Sequence, residues 1–250
     1  MTPQITDQLK QQFIEEGYFV LESVVPENLL ELLRSECKGF MDRVDAEMDA
    51  QNTDVIGINH RNKRYFAHDC YNQRPIMGEF LFSELMADIC RATLGDEAYL
   101  FFNQYVVKCA DKDSKFSWHQ DSGYVHPYHK PYLTCWIPLD DVNQENGTVS
   151  ILPYSRSGIR TWVQHVQDPV SNDLVGYFGS DKGIPVIVPA GSIAVFSSYV
   201  FHSSGGNLTQ NMRRVFLAQY SGEVIKTADG EHIWAYSDHF VHNGERIKTS

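Results

Sequence analysis

The chain has 250 residues, 42% of them hydrophobic and 21% charged, a balance that can bury a sizeable core without disulfide or metal staples. A formal net charge of −11 repels phosphate backbones and argues against a nucleic-acid partner. No apolar run approaches the ~18 residues that a bilayer span requires, and the five cysteines show no C-x-x-C pair, so neither a disulfide framework nor a structural zinc site is expected.

Taken from the start, MTPQITDQLKQQF has no apolar signal core, and with its scattered free thiols the chain reads as cytoplasmic. Thr6 to Gly17 carries Leu9, Phe13 and Ile14 at helical spacing, with Gly17 as the stop. YFVLESVV reads as a short strand. Pro26 opens a longer helix with Leu29, Leu30, Leu32, Leu33, Cys37, Phe40 and Met41 on one broad face. Asp45 to Asn62 is polar and aperiodic and is expected to be a loop, with residues 49–75 as a lid. Glu79 to Leu94 reads as an amphipathic helix ended by Gly95.

From Ala98 the texture changes to short β-rich runs: YLFFNQYVV, YLTCWIPL, TVSILP, IPVIV, SIAVFSS and RRVFLAQYS. Turn signals separate them, including ENG before Thr148 and SSGGN after His202, which predicts an all-β sandwich or barrel. With no Pro/Ser-rich linker, one domain over 1–250 is expected. Its parts are a helical region 1–97, a β core 98–221 and a C-terminal extension 222–250.

The segment FSWHQDSGY holds the chemistry. On a strand, His119 and Asp121 would share a face and present an imidazole and a carboxylate to one cation. His202 follows a later strand that can return to the same mouth. Two histidines and one carboxylate leave three positions of an octahedral ion open, which suits Fe(II) binding a cosubstrate together with O2. An H-x-D pair alone is common without a metal, and its weight comes from its company. Arg213 opens an apolar strand, where a planar guanidinium can pair with a carboxylate through two hydrogen bonds.

Several ordered motifs resemble the phytanoyl-CoA dioxygenase family of Fe(II)/2-oxoglutarate oxygenases, over roughly Phe13 to Ser221. They are EEGYFVLESVVP, WHQD at 118–121, WIPLDDVNQENGTVSILPYS at 136–155 and HSSGGNLTQNMRR at 202–214. The resemblance implies a double-stranded β-helix, a cupin-like jelly roll with N-terminal helices, whose iron is held by His119, Asp121 and His202. It also implies that Arg213, and not Arg214, binds 2-oxoglutarate, since adjacent strand residues face opposite ways. Ser204 matches a position contacting the same carboxylate, and Thr134 and Trp136 are expected walls of the cosubstrate pocket. The family block often reads Pro-Gly-Ser-His where this chain has Pro153-Tyr154-Ser155-Arg156. Halogenases of the family replace the carboxylate ligand with a small residue, and the presence of Asp121 argues for oxygen transfer or desaturation. The implied activity is hydroxylation of an aliphatic C–H of a small molecule, with succinate and CO2 released.

Other residues carry blander readings. His126 and His129 sit in a Pro-containing loop, Trp118 and Trp162 read as packing residues, Lys108 as a surface lysine in preference to one reaching the pocket, and His232, His239 and His242 as structural. Arg61 and Arg64, with His60 and His68, fall in the expected lid and are candidates to meet an anionic substrate group. Two other classes stay open: a non-catalytic jelly roll that binds a ligand or senses iron, and a cupin-type metalloenzyme independent of 2-oxoglutarate. Neither the substrate nor the oligomeric state is legible.

Overall fold

The computed structural model describes residues 5–169 and 173–249. Helix α1, Asp7–Glu16, is capped by the Thr6 hydroxyl on the Leu9 amide and stopped by Gly17 at a left-handed φ of 80°. Strand β1, Tyr18–Leu21, and helix α2, Glu27–Gln51, follow. The helix runs further than expected. Val44 and Met48 continue the inward stripe of Leu30, Leu33, Cys37 and Phe40, so Asp45–Gln51 is helical with its charges outward.

The rest of the expected loop is ordered too. Strands β2 (Val55–Ile56), β3 (Asn59–His60) and β4 (Arg64–His68) fold back on one another. β4 then pairs along β5 (Ala98–Lys108), from Arg64↔Lys108 to His68↔Gln104. Much of 49–75 is therefore secondary structure, part of it inside the main sheet. After α3, Cys70–Gln73, the single helix expected over Glu79–Leu94 is two, α4 (Gly78–Leu81) and α5 (Glu84–Thr93). Ser83 causes the break by taking extended backbone and capping α5 through the Met86 amide.

The remaining elements are β6 (Phe116–His119), β7 (Leu133–Pro138), β8 (Val149–Leu152), α6 (Tyr154–Ser157), β9 (Val166–Gln167), β10 (Leu174–Val175) and β11 (Ile184–Pro185). Then come β12 (Ile193–Ser197), β13 (Phe201–Ser204), β14 (Arg213–Ser221), β15 (Asp238–His242) and β16 (Glu245–Arg246). Among the described residues the main sheet runs β1-β12-β7-β14-β5-β4-β3-β2, with β15 also on β5, and a smaller sheet runs β11-β8-β13-β6. The pairings in both are antiparallel. This is the jelly-roll arrangement, as two sheets not closed into a continuous hydrogen-bonded ring.

Each central strand of the main sheet buries both faces, which is why RRVFLAQYS and YLTCWIPL read as unbroken apolar runs. Phe216, Ala218, Cys135, Ile137 and Val195 pack with residues of α2, α4 and α5. Val215, Trp136, Ala194 and Phe196 pack with Val149 and Ile151 of the smaller sheet. Strand parity thus divides a dry helical side from an inter-sheet side, and the site lies on the second.

Candidate metal centre

β6 ends at His119, which the register sets opposite His202 of β13, with ring centroids 4.2 Å apart. Asp121 is not on the strand. It opens a short 3-10 turn, Asp121–Tyr124, and its Oδ1 lies 3.4 Å from His202 Nε2. One ligand atom from each of the three residues falls within 4.8 Å of the others.

The tautomers follow from the backbone. His119 Nδ1 is 2.7 Å from the Ser117 carbonyl and His202 Nδ1 is 3.2 Å from the Val200 carbonyl. Each Nδ1–H donates, leaving both Nε2 lone pairs for a cation. Burial, with His202 beside it, pushes His119 down to about 3 and keeps it in the neutral, ligating form. Burial alone would raise the Asp121 carboxyl, but His202 and His119 bring it down to about 2, so it is ionised.

Asp121 is oriented through its other oxygen. Oδ2 accepts from the Thr134 hydroxyl and, at 3.0 Å, from the Gln219 amide, which also reaches Thr134 Oγ1 at 3.0 Å. Oδ1 is left to face the histidines. Thr134, expected as a cosubstrate wall, is hydrogen-bonded in the structure to Asp121 and Gln219.

Arg213 shares the parity of Val215 and faces between the sheets, 2% exposed, over Trp136 at 6.0 Å from the ring centroid. Its Nε is buried with no hydrogen-bond partner, and burial pushes the guanidinium down to about 10. Arg214 faces the other way into a two-pronged pair with Asp140, Nη2 to Oδ1 at 2.6 Å and Nε to Oδ2 at 3.0 Å.

Lys108 corrects the sequence reading. It is 1% exposed, cross-strand from Arg213, and its Nζ donates to Ser204 Oγ and to the Gly205 carbonyl, both at 2.7 Å. Burial first and Arg213 second hold the ammonium well below its ordinary value. Ser204 is two strand residues beyond His202, a rise of about 6.6 Å, roughly the length of a five-carbon diacid. The signal for Lys108 and Gln219 was present but slight: each is a polar residue at inter-sheet parity on a largely apolar strand, a parity that Gln104 and Arg213 share.

The other candidates do not converge on this centre. Arg61 is taken up by Asp49 at 2.7 Å, Asp54 at 2.9 Å and Asp45 at 3.5 Å. Arg64 donates to the Ile58 carbonyl at 3.1 Å and lies 3.4 Å from His60 Nε2. His126 is bound to the Lys226 carbonyl, Trp162 donates to the Ser122 carbonyl at 2.9 Å, and Trp118 packs on Tyr177. His239 and His242 meet Glu97.

The donor set fits the group the sequence suggested. Two imidazole nitrogens and one carboxylate oxygen would leave half an octahedron open for Fe(II). The unpartnered Arg213 Nε, beside Lys108, fits the far carboxylate of a dicarboxylic acid. Jelly roll and site together define an Fe(II)/2-oxoglutarate-dependent oxygenase.

Residues 13–215 match the phytanoyl-CoA dioxygenase (PhyH) family, and the chain belongs to it. It is 25% identical over 181 residues to L-proline trans-4-hydroxylase of Streptomyces griseoviridis, covering 62% of this chain and 66% of that protein. Against ectoine dioxygenase of Sphingopyxis alaskensis it is 24% identical over 219 residues, covering 79% and 69%. The chain thus spans about two thirds of the length of these relatives. The fold is similar to that of EctD from S. alaskensis in its apoform, with TM-score 0.70 at 21% identity over 98% of this chain and 87% of that one. It is also similar to the carbocyclase SnoK, with TM-score 0.69 at 16% identity over 91% and 88%.

Proposed function

We propose that this chain hydroxylates an aliphatic C–H bond of a small molecule, consuming 2-oxoglutarate and O2 and releasing succinate and CO2. One observation carries the reading. A guanidinium buried between the sheets has an orphaned Nε and, among the described residues, no ion pair with a carboxylate, although burying a charge is costly. A cosubstrate carboxylate at that point resolves the cost.

In this reading His119, Asp121 and His202 hold the iron through Nε2, Oδ1 and Nε2. Arg213 pairs with the distal carboxylate, Lys108 and Ser204 reach it from the neighbouring strands, and Trp136 packs beneath the guanidinium. The bound iron and cosubstrate supply the oxidising chemistry. Thr134 and Gln219 occupy Asp121 Oδ2, which would leave Oδ1 to hold the metal. Phe102 and Gln104 of β5 and Leu217 of β14 follow Lys108 and Arg213 on the same parity and are partly exposed, and the half-exposed Tyr124 stands edge-on to His119 at 5.6 Å. These residues are assigned to the wall facing the substrate. By analogy with the proline and ectoine enzymes, the substrate is a small molecule. Arg61, neutralised by three carboxylates, is left out of that wall. The extension 222–250 belongs to the same unit, since β15 lies on β5.

The test is succinate release from 2-oxoglutarate with and without Fe(II), in the wild type and in Arg213→Ala. Iron-dependent succinate that falls away in the variant is the expected result. Iron binding with no succinate, across a screen of C–H substrates by O2 consumption, would return the chain to the ligand-binding class. Turnover independent of 2-oxoglutarate would place it with cupin-type enzymes.

A further inference from the structure

A second group of ligating side chains lies outside the centre described above. Glu97, just before β5, faces His239 and His242 of β15. His239 Nε2 is 2.8 Å from Glu97 Oε2 and His242 Nδ1 is 2.9 Å from Oε1. One donor atom from each lies within 4.8 Å of the others. On a regular strand, residues three apart point to opposite faces. Here the β15–β5 register shifts between His239 and Val241, and this bulge brings both imidazoles to one carboxylate.

The cluster is also fixed from outside. His239 stacks on Tyr99 with centroids 4.3 Å apart and planes at 12°. The Asn243 amide N–H, in a residue held at φ 50°, donates to Glu97 Oε1 at 3.1 Å, and its side-chain nitrogen lies 2.9 Å from His242 Nε2. Groups that orient the carboxylate and the far nitrogen of an imidazole are the supports that metal ligands require.

We propose that Glu97, His239 and His242 form a second metal site, for Zn(II) or a similar borderline divalent ion. Two imidazole nitrogens and one carboxylate oxygen are a three-ligand zinc set with a fourth position left to water. The set is wrong for Ca(II) or Mg(II), which take oxygen ligands. The ion replaces the hydrogens now shared with Glu97, each neutral ring keeping its proton on the other nitrogen. For His242 that nitrogen faces the Asn243 amide, whose oxygen accepts once the amide is turned over. The ion ties β15 and β16 to β5, the strand that carries Lys108.

Titration of metal-free protein with Zn(II) alone, followed by calorimetry, tests this. Two equivalents are expected for the wild type, the second with a dissociation constant of roughly micromolar order. His239→Ala/His242→Ala should bind one equivalent, and His119→Ala/His202→Ala should keep one. His242 is half-exposed, so the single variant His242→Ala should fold, lose the second equivalent and lose the zinc-induced rise in Tm. Two equivalents retained in His239→Ala/His242→Ala would overturn the proposal. So would a wild type that binds one equivalent and loses it in His119→Ala/His202→Ala. Neither result bears on whether the first centre makes succinate.

Discussion

The two faces of the main sheet are built from the same strands and do opposite things. On the helical side Phe216, Tyr105 and Phe80 interlock, with Tyr105 and Phe216 centroids at 4.8 Å and Phe80 and Phe216 at 6.0 Å. One residue along the chain, on the inter-sheet side, Arg213, Lys108, Gln219 and Thr134 are buried polar groups. The first face spends its area on stability. The second keeps charges out of water at a cost to stability, and that cost is what makes them available to ligands. A fold that buries both faces of a sheet can therefore separate its core from its chemistry by a single residue of register.

The comparison breaks most visibly at the triad. His119→Ala or His202→Ala should abolish tight iron binding and turnover, measured as iron stoichiometry and succinate release, while the fold persists because neither ring belongs to the helical-side core. Wild-type stoichiometry in either variant would show that the ligands are misassigned. On the opposite face, Phe216→Ala should cost about 3–5 kcal/mol in denaturant unfolding, with succinate formation per folded molecule nearly unchanged. A large loss of turnover with intact folding would mean that the two faces are not separate.

Arg213→Ala should weaken 2-oxoglutarate binding by roughly ten- to a hundred-fold, the equivalent of ~1.5–3 kcal/mol for a charge-assisted pair. Its stability without cosubstrate should be equal or higher, since the variant removes an uncompensated buried charge. Arg214→Ala should do the reverse, breaking the Asp140 pair and sparing the affinity. Exchange of the two outcomes would invert the strand phase. Gln219→Leu keeps the volume and removes one of two donors to Asp121 Oδ2, and iron affinity should fall by roughly ten- to a hundred-fold. The smallest effect is expected at Arg61→Ala, a slight, salt-screened loss of Tm with the ratio of product to succinate unchanged. A change in that ratio would return 49–75 to the role of a lid.

How far the sequence could be read follows from the range of the interactions involved. Local signals served where they decide the outcome. Thr6 and Gly17 bound α1, Pro26 starts α2, and alternation on RRVFLAQYS sends Arg213 and Arg214 to opposite faces. They failed where a distant partner decides. Asp45–Gln51 is polar in composition but helical, because Val44 and Met48 find the core. Ser83 is a different case, a local cap on the Met86 amide that splits a helix periodicity would have continued. Asp121 lies in a 3-10 turn and not on the strand, so the H-x-D pair meets His202 by a geometry other than the strand alternation expected of it.

By itself the sequence determined the β-rich core, the ordered motifs and the candidate ligands His119, Asp121, His202 and Arg213, because residue type and strand parity are written locally. Only the tertiary structure decided that Lys108 is buried beside Ser204, that Thr134 and Gln219 serve Asp121, that Arg61 is tied to helix α2, and that Glu97 meets His239 and His242. Each of these depends on which strands lie side by side and at what register. That is settled by packing between segments far apart in the chain, on which a single-sequence pattern is silent.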